Sequence, residues 1–167
     1  MEFTIRSEEE KDHLQVMDVI QAAFPTVAES KLVDALHANG KAIISLVAVR
    51  GEEVLGHILF SPVSTTPPSN ARGIGLAPVA VKPECQSHGI GSQLIREGLR
   101  RCQELKFDYV VVLGAPEYYG RFGFQKASQF DLQNEYGVDD EFMTIAFSSN
   151  GACGLVQYAP EFSMFSV

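Results

Sequence analysis

Between Gly73 and Ala115 the sequence reads as strand, glycine-punctuated loop, helix and strand, and this unit limits the possible folds more than any other feature. "GIGLAPVAVKP" is a long β-rich run interrupted at Pro78, where proline removes a ladder donor and predicts a bulge or a break in pairing. From Gly91 to Leu105 the apolar residues Leu94, Ile95, Leu99, Cys102 and Leu105 fall on one helical face, with Arg96, Arg100, Arg101 and Glu104 on the others. "FDYVVVLGA" is nearly unbroken β-branched and apolar sequence, which suits a central strand covered on both faces.

The flanks extend this unit. "EFTIR" alternates as a first strand, and Ser7 with Glu10 forms an S-x-x-E capping box ahead of Leu14, Met17, Ile20 and Phe24 at helical spacing. Thr26 and Glu29 repeat the box before a second helix carrying Leu32, Val33 and Leu36, with Gly40 as its stop. "AIISLVAVRGEEVLGHILFSPV" reads as a hairpin turning at Gly51-Glu52, and "STTPPSNA" (64–71) reads as a loop. "PEYYGRFGF" predicts a short helix from Pro116, ending at Gly123. Strands are expected at "FMTIAF" and near "GLVQY", with an acidic linker between Phe130 and Phe142. The sum is one α/β domain over residues 1–167, a sheet with helices on both faces.

Charge and cysteine usage narrow the partners. A net charge of −8 disfavours nucleic acid and anionic membrane surfaces, which call for clustered positive charge. Cys85, Cys102 and Cys153 lack metal spacing, so free thiols, no metal and a cytoplasmic location are expected. No apolar run approaches the roughly 20 residues of a membrane span.

"CQSHGIGSQL" (85–94) places Gly89 and Gly91 at the mouth of the helix. A helix starts with backbone N–H groups that lack intrahelical partners, and its dipole adds partial positive charge. Glycines there let an oxyanion approach the chain, so the loop is either an anion site or a plain turn. G-x-G-x-x-G, the Walker sequence and G-x-S-x-G are all unmatched.

"VAVKPECQSHGIGSQLI" resembles the central motif of the GNAT superfamily of N-acetyltransferases, V-x-P-x-x-Q-x-x-G-I-G, at Val81, Pro83, Gln86, Gly89, Ile90 and Gly91. "LGAPEYYGRFGF" resembles that family's second block, most of all in its YhbS-like branch. The resemblance implies a mixed, mostly antiparallel sheet splayed at the cofactor site, with acetyl-CoA as donor. It implies that the amides of Gln86, Ser87, His88, Gly89, Ile90, Gly91 and Ser92 bind the pyrophosphate. It also implies that Val79, Ala80 and Val81 pair with the pantetheine arm and hold the thioester oxygen, with Gly114 where the neighbouring strand diverges. Arg96, Arg100 and Arg101 are either further phosphate contacts or a solvated helix face.

Acetyl transfer to an amine requires a neutral amine, a polarised carbonyl and a protonated leaving thiolate. A lysine-like amine with pKa of about 10.4 is well under ~0.1% neutral at pH 7, so a base helps. Tyr119, five residues before Phe124, matches the family's tyrosine and is the expected general acid; Tyr118 is read as packing or a substrate wall. His57 or Glu29 is the expected base, although His57 also fits a structural role and Glu29 a capping one. Glu84 reads as loop, and nothing nearby in sequence activates Cys85. Asp131, Glu135, Asp139, Asp140 and Glu141 form an acidic stretch that either attracts a cationic amine or is simply solvated. The expected function is direct transfer of acetyl to a primary amine of a small molecule or peptide. A non-catalytic acyl-CoA-binding sensor on the same fold is the alternative, and a homodimer is left open.

Overall fold

The computed structural model describes residues 1–165, whose chain divides into two compact units. The first contains Met1–Phe60, Ala77–Arg100 and the chain from Pro160; the second contains Ser61–Leu76 and Arg101–Ala159. The elements are β1 (Thr4–Ser7), α1 (His13–Ala23), α2 (Ala28–Ala38), β2 (Ile44–Arg50), β3 (Glu53–Thr66), β4 (Gly73–Val81), α3 (Ile90–Glu104), β5 (Tyr109–Leu113), α4 (Pro116–Gly120), β6 (Gln125–Lys126), β7 (Leu132–Asn134), β8 (Phe142–Ala146), β9 (Gly154–Gln157) and α5 (Glu161–Met164). β3, β4 and α3 each contribute residues to both units.

In the first unit the strands run β1-β2-β3-β4, with β1, β2 and β3 joined as antiparallel neighbours. The hairpin turns at Gly51, whose φ of 62° supplies the left-handed step. α1 buries Val16, Val19 and Ile20, whereas Leu14, expected on the inner face, is 77% exposed. The buried stripe through Val16, Val19 and Ile20 turns Leu14 outward. A 3-10 turn at Glu10–Asp12 precedes the helix, and Asp12, not Glu10, accepts a capping bond, from the Glu9 N–H at 2.7 Å. Asp12 is also held by both nitrogens of Arg6, at 2.7 and 2.9 Å.

α2 buries Leu32, Val33 and Leu36 as the spacing predicts. Its N-cap is Val27. The Thr26 hydroxyl accepts from the Ala28 N–H and donates to Glu29, both at 3.3 Å, so the expected box is only half formed. α5 is pinned beside the end of α2 by Glu161, which accepts from Asn39 at 2.7 Å and Lys41 at 2.8 Å.

Gly56 of β3 sets the position of α3. A Cβ there would stand 3.0 Å from Ile90, 3.2 Å from Leu94 and 3.1 Å from the Ala80 carbonyl, so a bare Cα lets the first turn of α3 lie directly on the sheet. Leu94, Ile95 and Cys102 are fully buried, while Leu105, expected on the same face, lies beyond the helix and is 46% exposed.

In the second unit β4, β5, β8 and β6 follow one another, with β4–β5 parallel and β5–β8 and β6–β8 antiparallel. The Val110–Val112 run is buried as expected. The reading of 64–71 as loop is corrected for its first residues. β3 continues to Thr66 because Ser64–Thr66 pair with Gln157–Leu155 of β9. The acidic linker is corrected too, since Leu132–Asn134 forms β7, parallel to β9. Asn134 closes the turn after it, donating to the Val138 carbonyl at 2.6 Å and accepting from the Tyr136 N–H at 2.9 Å. The short helix from Pro116 ends at Gly120, before the predicted Gly123.

Candidate active site

The β4–β5 ladder holds only three residue pairs, Gly73–Tyr109, Ile74–Val110 and Gly75–Val111. β4 itself continues to Val81. Pro78 therefore leaves the strand intact, and the expected break lies in the pairing, which stops at Gly75. Past that point Val79 and Val81 are half-buried, while Ala80 between them is buried, its carbonyl close to Gly56 of β3.

The loop that follows is anchored at its start. The Lys82 N–H donates to the Leu55 carbonyl at 2.9 Å, and the Cys85 N–H closes a 3-10 turn on the Lys82 carbonyl at 2.8 Å. The Gln86 side chain reaches back to the Val81 carbonyl at 3.3 Å. His88 Nδ1 sits 2.9 Å from the Gln86 carbonyl, an acceptor, so that nitrogen carries the proton.

Ser87 and Gly89 have φ of 66° and 83°, both left-handed. Residues alternating about such angles turn successive N–H groups to one side, the concave arrangement that binds anions. The Gln86 N–H is used internally, in a long 3.4 Å bond to Pro83, and the first bond into α3 is from the Gln93 N–H to the Gly89 carbonyl at 3.0 Å. Between them, the N–H groups of Ser87 to Ser92 have no acceptor among the described residues. Open space surrounds the Gly89 Cα, with nothing within 4 Å of a Cβ built there. Along the helix Arg100 is committed to Glu97, at 2.6 and 2.9 Å.

In the second unit, Tyr119 sits in α4 with its N–H bonded to the Ala115 carbonyl at 3.0 Å. Its ring stands edge-on to Tyr118 and Phe124, with centroids at 5.1 and 5.7 Å, and lies over the Gly114 Cα. The hydroxyl has no hydrogen-bond partner among the described residues. Burial first, and Tyr118 second, push its pKa up to about 12. The group is thus a proton donor throughout the neutral range. Tyr118 also lies under the Arg121 guanidinium, 5.3 Å from its ring centroid.

The two base candidates sit differently. The His57 ring is fully buried on β3, with Nε2 2.9 Å from the Ser45 hydroxyl and 3.3 Å from Glu8. Burial lowers its pKa against the opposing pull of Glu8. Glu29, in the first turn of α2, is only half-buried. No bond joins the two. The acidic stretch is partly neutralised, since Lys126 pairs with Asp139 at 3.1 Å and Asp140 at 3.0 Å, and Glu135 accepts from the Tyr158 N–H.

Sequence reasoning missed the company His57 keeps. Glu8, which looks like one of three solvated acids in "SEEE", has a side chain only 7% exposed and contacts His37 of α2, at 3.2 Å, as well as His57. Burial opposes ionisation of Glu8, but the contacts with His37, His57 and Ser45 outweigh it and hold the carboxyl far below the usual carboxylate range. Residues of β2, β3 and α2 meet the residue that follows β1 here, and no local spacing announces them.

The profile of the Acetyltransferase (GNAT) domain matches residues 4–127. The N-acetyltransferase YhbS of Escherichia coli (strain K12), itself uncharacterized, is 35% identical over 152 residues, 88% of this chain and 90% of that protein. The crystal structure of E. coli YhbS in complex with CoA superposes with a TM-score of 0.90 at 33% identity, covering 96% of this chain and 92% of that one. A GNAT family acetyltransferase from Brucella melitensis in complex with acetyl-CoA gives a TM-score of 0.82 at 36% identity, covering 96% and 98%.

Proposed function

Since the chain belongs to the GNAT family of acetyltransferases and is an acyltransferase of that fold, we propose that it transfers acetyl from acetyl-CoA to a primary amine by direct attack, with residues 1–167 as one catalytic domain. The observation that carries this reading is the run of N–H groups from Ser87 to Ser92, at the start of α3, that have no acceptor among the described residues. The two similar proteins whose structures contain CoA and acetyl-CoA support it.

In this proposal the loop amides hold the diphosphate, and the main chain of Val79, Ala80 and Val81, beyond the end of the β4–β5 ladder, pairs with the pantetheine arm. The same strand donates to the thioester oxygen as negative charge gathers on it, which is oxyanion stabilisation by a preorganised donor. The amine attacks the thioester carbon, the C–S bond breaks, and Tyr119 supplies a proton to the leaving sulfur. Its raised pKa keeps the phenol loaded without a neighbour to hold the proton. Glu29 takes the amine's proton, directly or through water, because it is only half-buried and the His57 ring is fully buried. The free cysteines, two of them buried, suit a reducing cytoplasmic compartment. Among the described residues no helix is long and apolar enough to cross a membrane.

The test is thiol release. Acetyl-CoA is incubated with the protein and a panel of small primary amines and peptides, and free CoA is measured. Turnover with at least one amine supports the proposal. Tight acetyl-CoA binding with no thiol released by any amine would instead make the protein a cofactor-binding module.

A further inference from the structure

Away from the loop and Tyr119, we propose that Glu8, His37 and His57 form a binding site for a divalent metal ion of the zinc type, with the Ser45 hydroxyl beside it. The expectation of no metal rested on cysteine spacing, and these ligands are not cysteines. One carboxylate oxygen and two imidazole nitrogens lie within 4.8 Å of one another. Glu8 Oε1 is 3.2 Å from His37 Nε2 and 3.3 Å from His57 Nε2. Tetrahedral zinc with bonds of about 2.0–2.1 Å puts neighbouring ligand atoms about 3.3–3.4 Å apart, so Glu8 Oε1 already stands near the required spacing from each ring nitrogen.

The orientation of the groups adds a second, independent argument. His37 Nε2 is buried and finds no hydrogen-bond partner among the described residues, although Glu8 is 3.2 Å away. The pair is close enough for a hydrogen bond and is not aligned for one. A buried ring nitrogen without an aligned partner, beside a carboxylate oxygen and a second ring nitrogen, has a lone pair available for a common cation. Two imidazoles and a carboxylate without thiolates are the donor set of zinc and its first-row neighbours, not of calcium or magnesium.

The placement also defines what the ion does. Glu8 follows β1, Ser45 lies in β2, His57 in β3 and His37 in the last turn of α2. An ion held by them staples the C-terminal turn of α2 to three strands of the first unit. The His37 side chain is 33% exposed, which gives the ion a way in, while the His57 side stays closed. Ser45 donates to Glu8 and lies 2.9 Å from His57, so it supplies either the fourth ligand or the outer bond that orients the carboxylate.

The full chain, stripped with EDTA and dialysed, is titrated with zinc chloride by calorimetry and with cobalt chloride by visible absorption. The expected result is one ion per chain, an intense four-coordinate cobalt spectrum and a rise in Tm with zinc. His37→Ala, at a partly exposed position, should weaken zinc by more than the ~10–100-fold that loss of an outer partner costs. No saturable zinc binding by the wild-type protein overturns the proposal without any variant. Binding that persists in His37→Ala overturns it too, as does binding lost only in Cys153→Ser, because Cys153 is an exposed free thiol. Zinc affinity is read without acetyl-CoA, so this outcome is independent of the transferase reading.

Discussion

Tyr119 lies across Gly114 so closely that a single carbon added to Gly114 would overlap Cε2 of the tyrosine ring. The end of β5 and the aromatic of α4 are thus one fitted unit, and the glycine sets where the phenol points. Gly114→Ala should displace the ring at the ~1–3 kcal/mol typical of overpacking. Steady-state kinetics should show kcat falling at least tenfold with CoA affinity nearly unchanged.

Tyr119→Phe removes only the hydroxyl, which no described residue binds, so stability should change little. Loss of a general acid typically costs ~10²–10⁴-fold in rate. The expected pattern is that loss in kcat with a CoA dissociation constant within about threefold of wild type. Parallel loss of turnover and affinity would make the residue structural. Because burial pushes the phenol up to about 12, kcat should also show no alkaline fall near pH 10 from this group.

At Gly89 the backbone, not the available space, restricts substitution, since φ is 83° and a Cβ would meet nothing within 4 Å. Gly89→Asn keeps a residue that visits left-handed geometry, whereas most others are strained by ~1–2 kcal/mol. Gly89→Glu adds a negative charge where the diphosphate is proposed to sit. Calorimetry should therefore find CoA binding weakened far more by glutamate than by asparagine, and by more than the ~1–2 kcal/mol by which the glutamate backbone is the more strained.

The Glu8 cluster gives stability a pH signature in metal-free protein. Glu8 titrates below its ordinary 4.5, so its contribution is complete above that pH and is lost as pH falls through the depressed value. Contact with Glu8, partly opposed by burial, raises His37 above its ordinary 6.5; its contribution is complete below that pH and fades as pH rises through the raised value. The advantage of wild type over Glu8→Gln should be largest between about pH 4.5 and 6.5 and should shrink on both sides. Because the amide keeps part of the bonding, the gap should stay below the ~3–5 kcal/mol of a fully broken buried pair. Urea denaturation of both proteins from pH 3.5 to 8.5 measures it, and a gap that only grows with pH would contradict the assignment.

Strong local patterns carried most of the fold. Val110–Val112 could hardly be anything but a buried strand, and Gly89 and Ile90 mark the mouth of α3 because a left-handed residue and a helix start leave local traces. Pro78 shows the limit of local reading: the β4–β5 ladder ends at Gly75, three residues before the proline, and β4 runs through Pro78 to Val81 beside β3. Thr65 and Leu132 became strand residues through β9, a partner roughly 20 to 90 residues away that no window contains. Leu14 was misplaced because the spacing through Leu14 and Met17 follows a different stripe of α1 from the one the fold buries, Val16, Val19 and Ile20. The loop was legible because its chemistry is backbone chemistry written in glycines. The Glu8, His37, Ser45 and His57 cluster was not, because each residue taken alone is unremarkable in its own element.

The central claim is that the N–H groups of Ser87 to Ser92 receive the diphosphate of CoA. Titrating labelled protein with CoA while following backbone amide resonances tests it residue by residue. The account predicts large, saturable shifts at Ser87, His88, Gly89, Ile90, Gly91 and Ser92, reproduced in direction by inorganic pyrophosphate alone at higher concentration. Saturable CoA binding that leaves those six amides unmoved would contradict it.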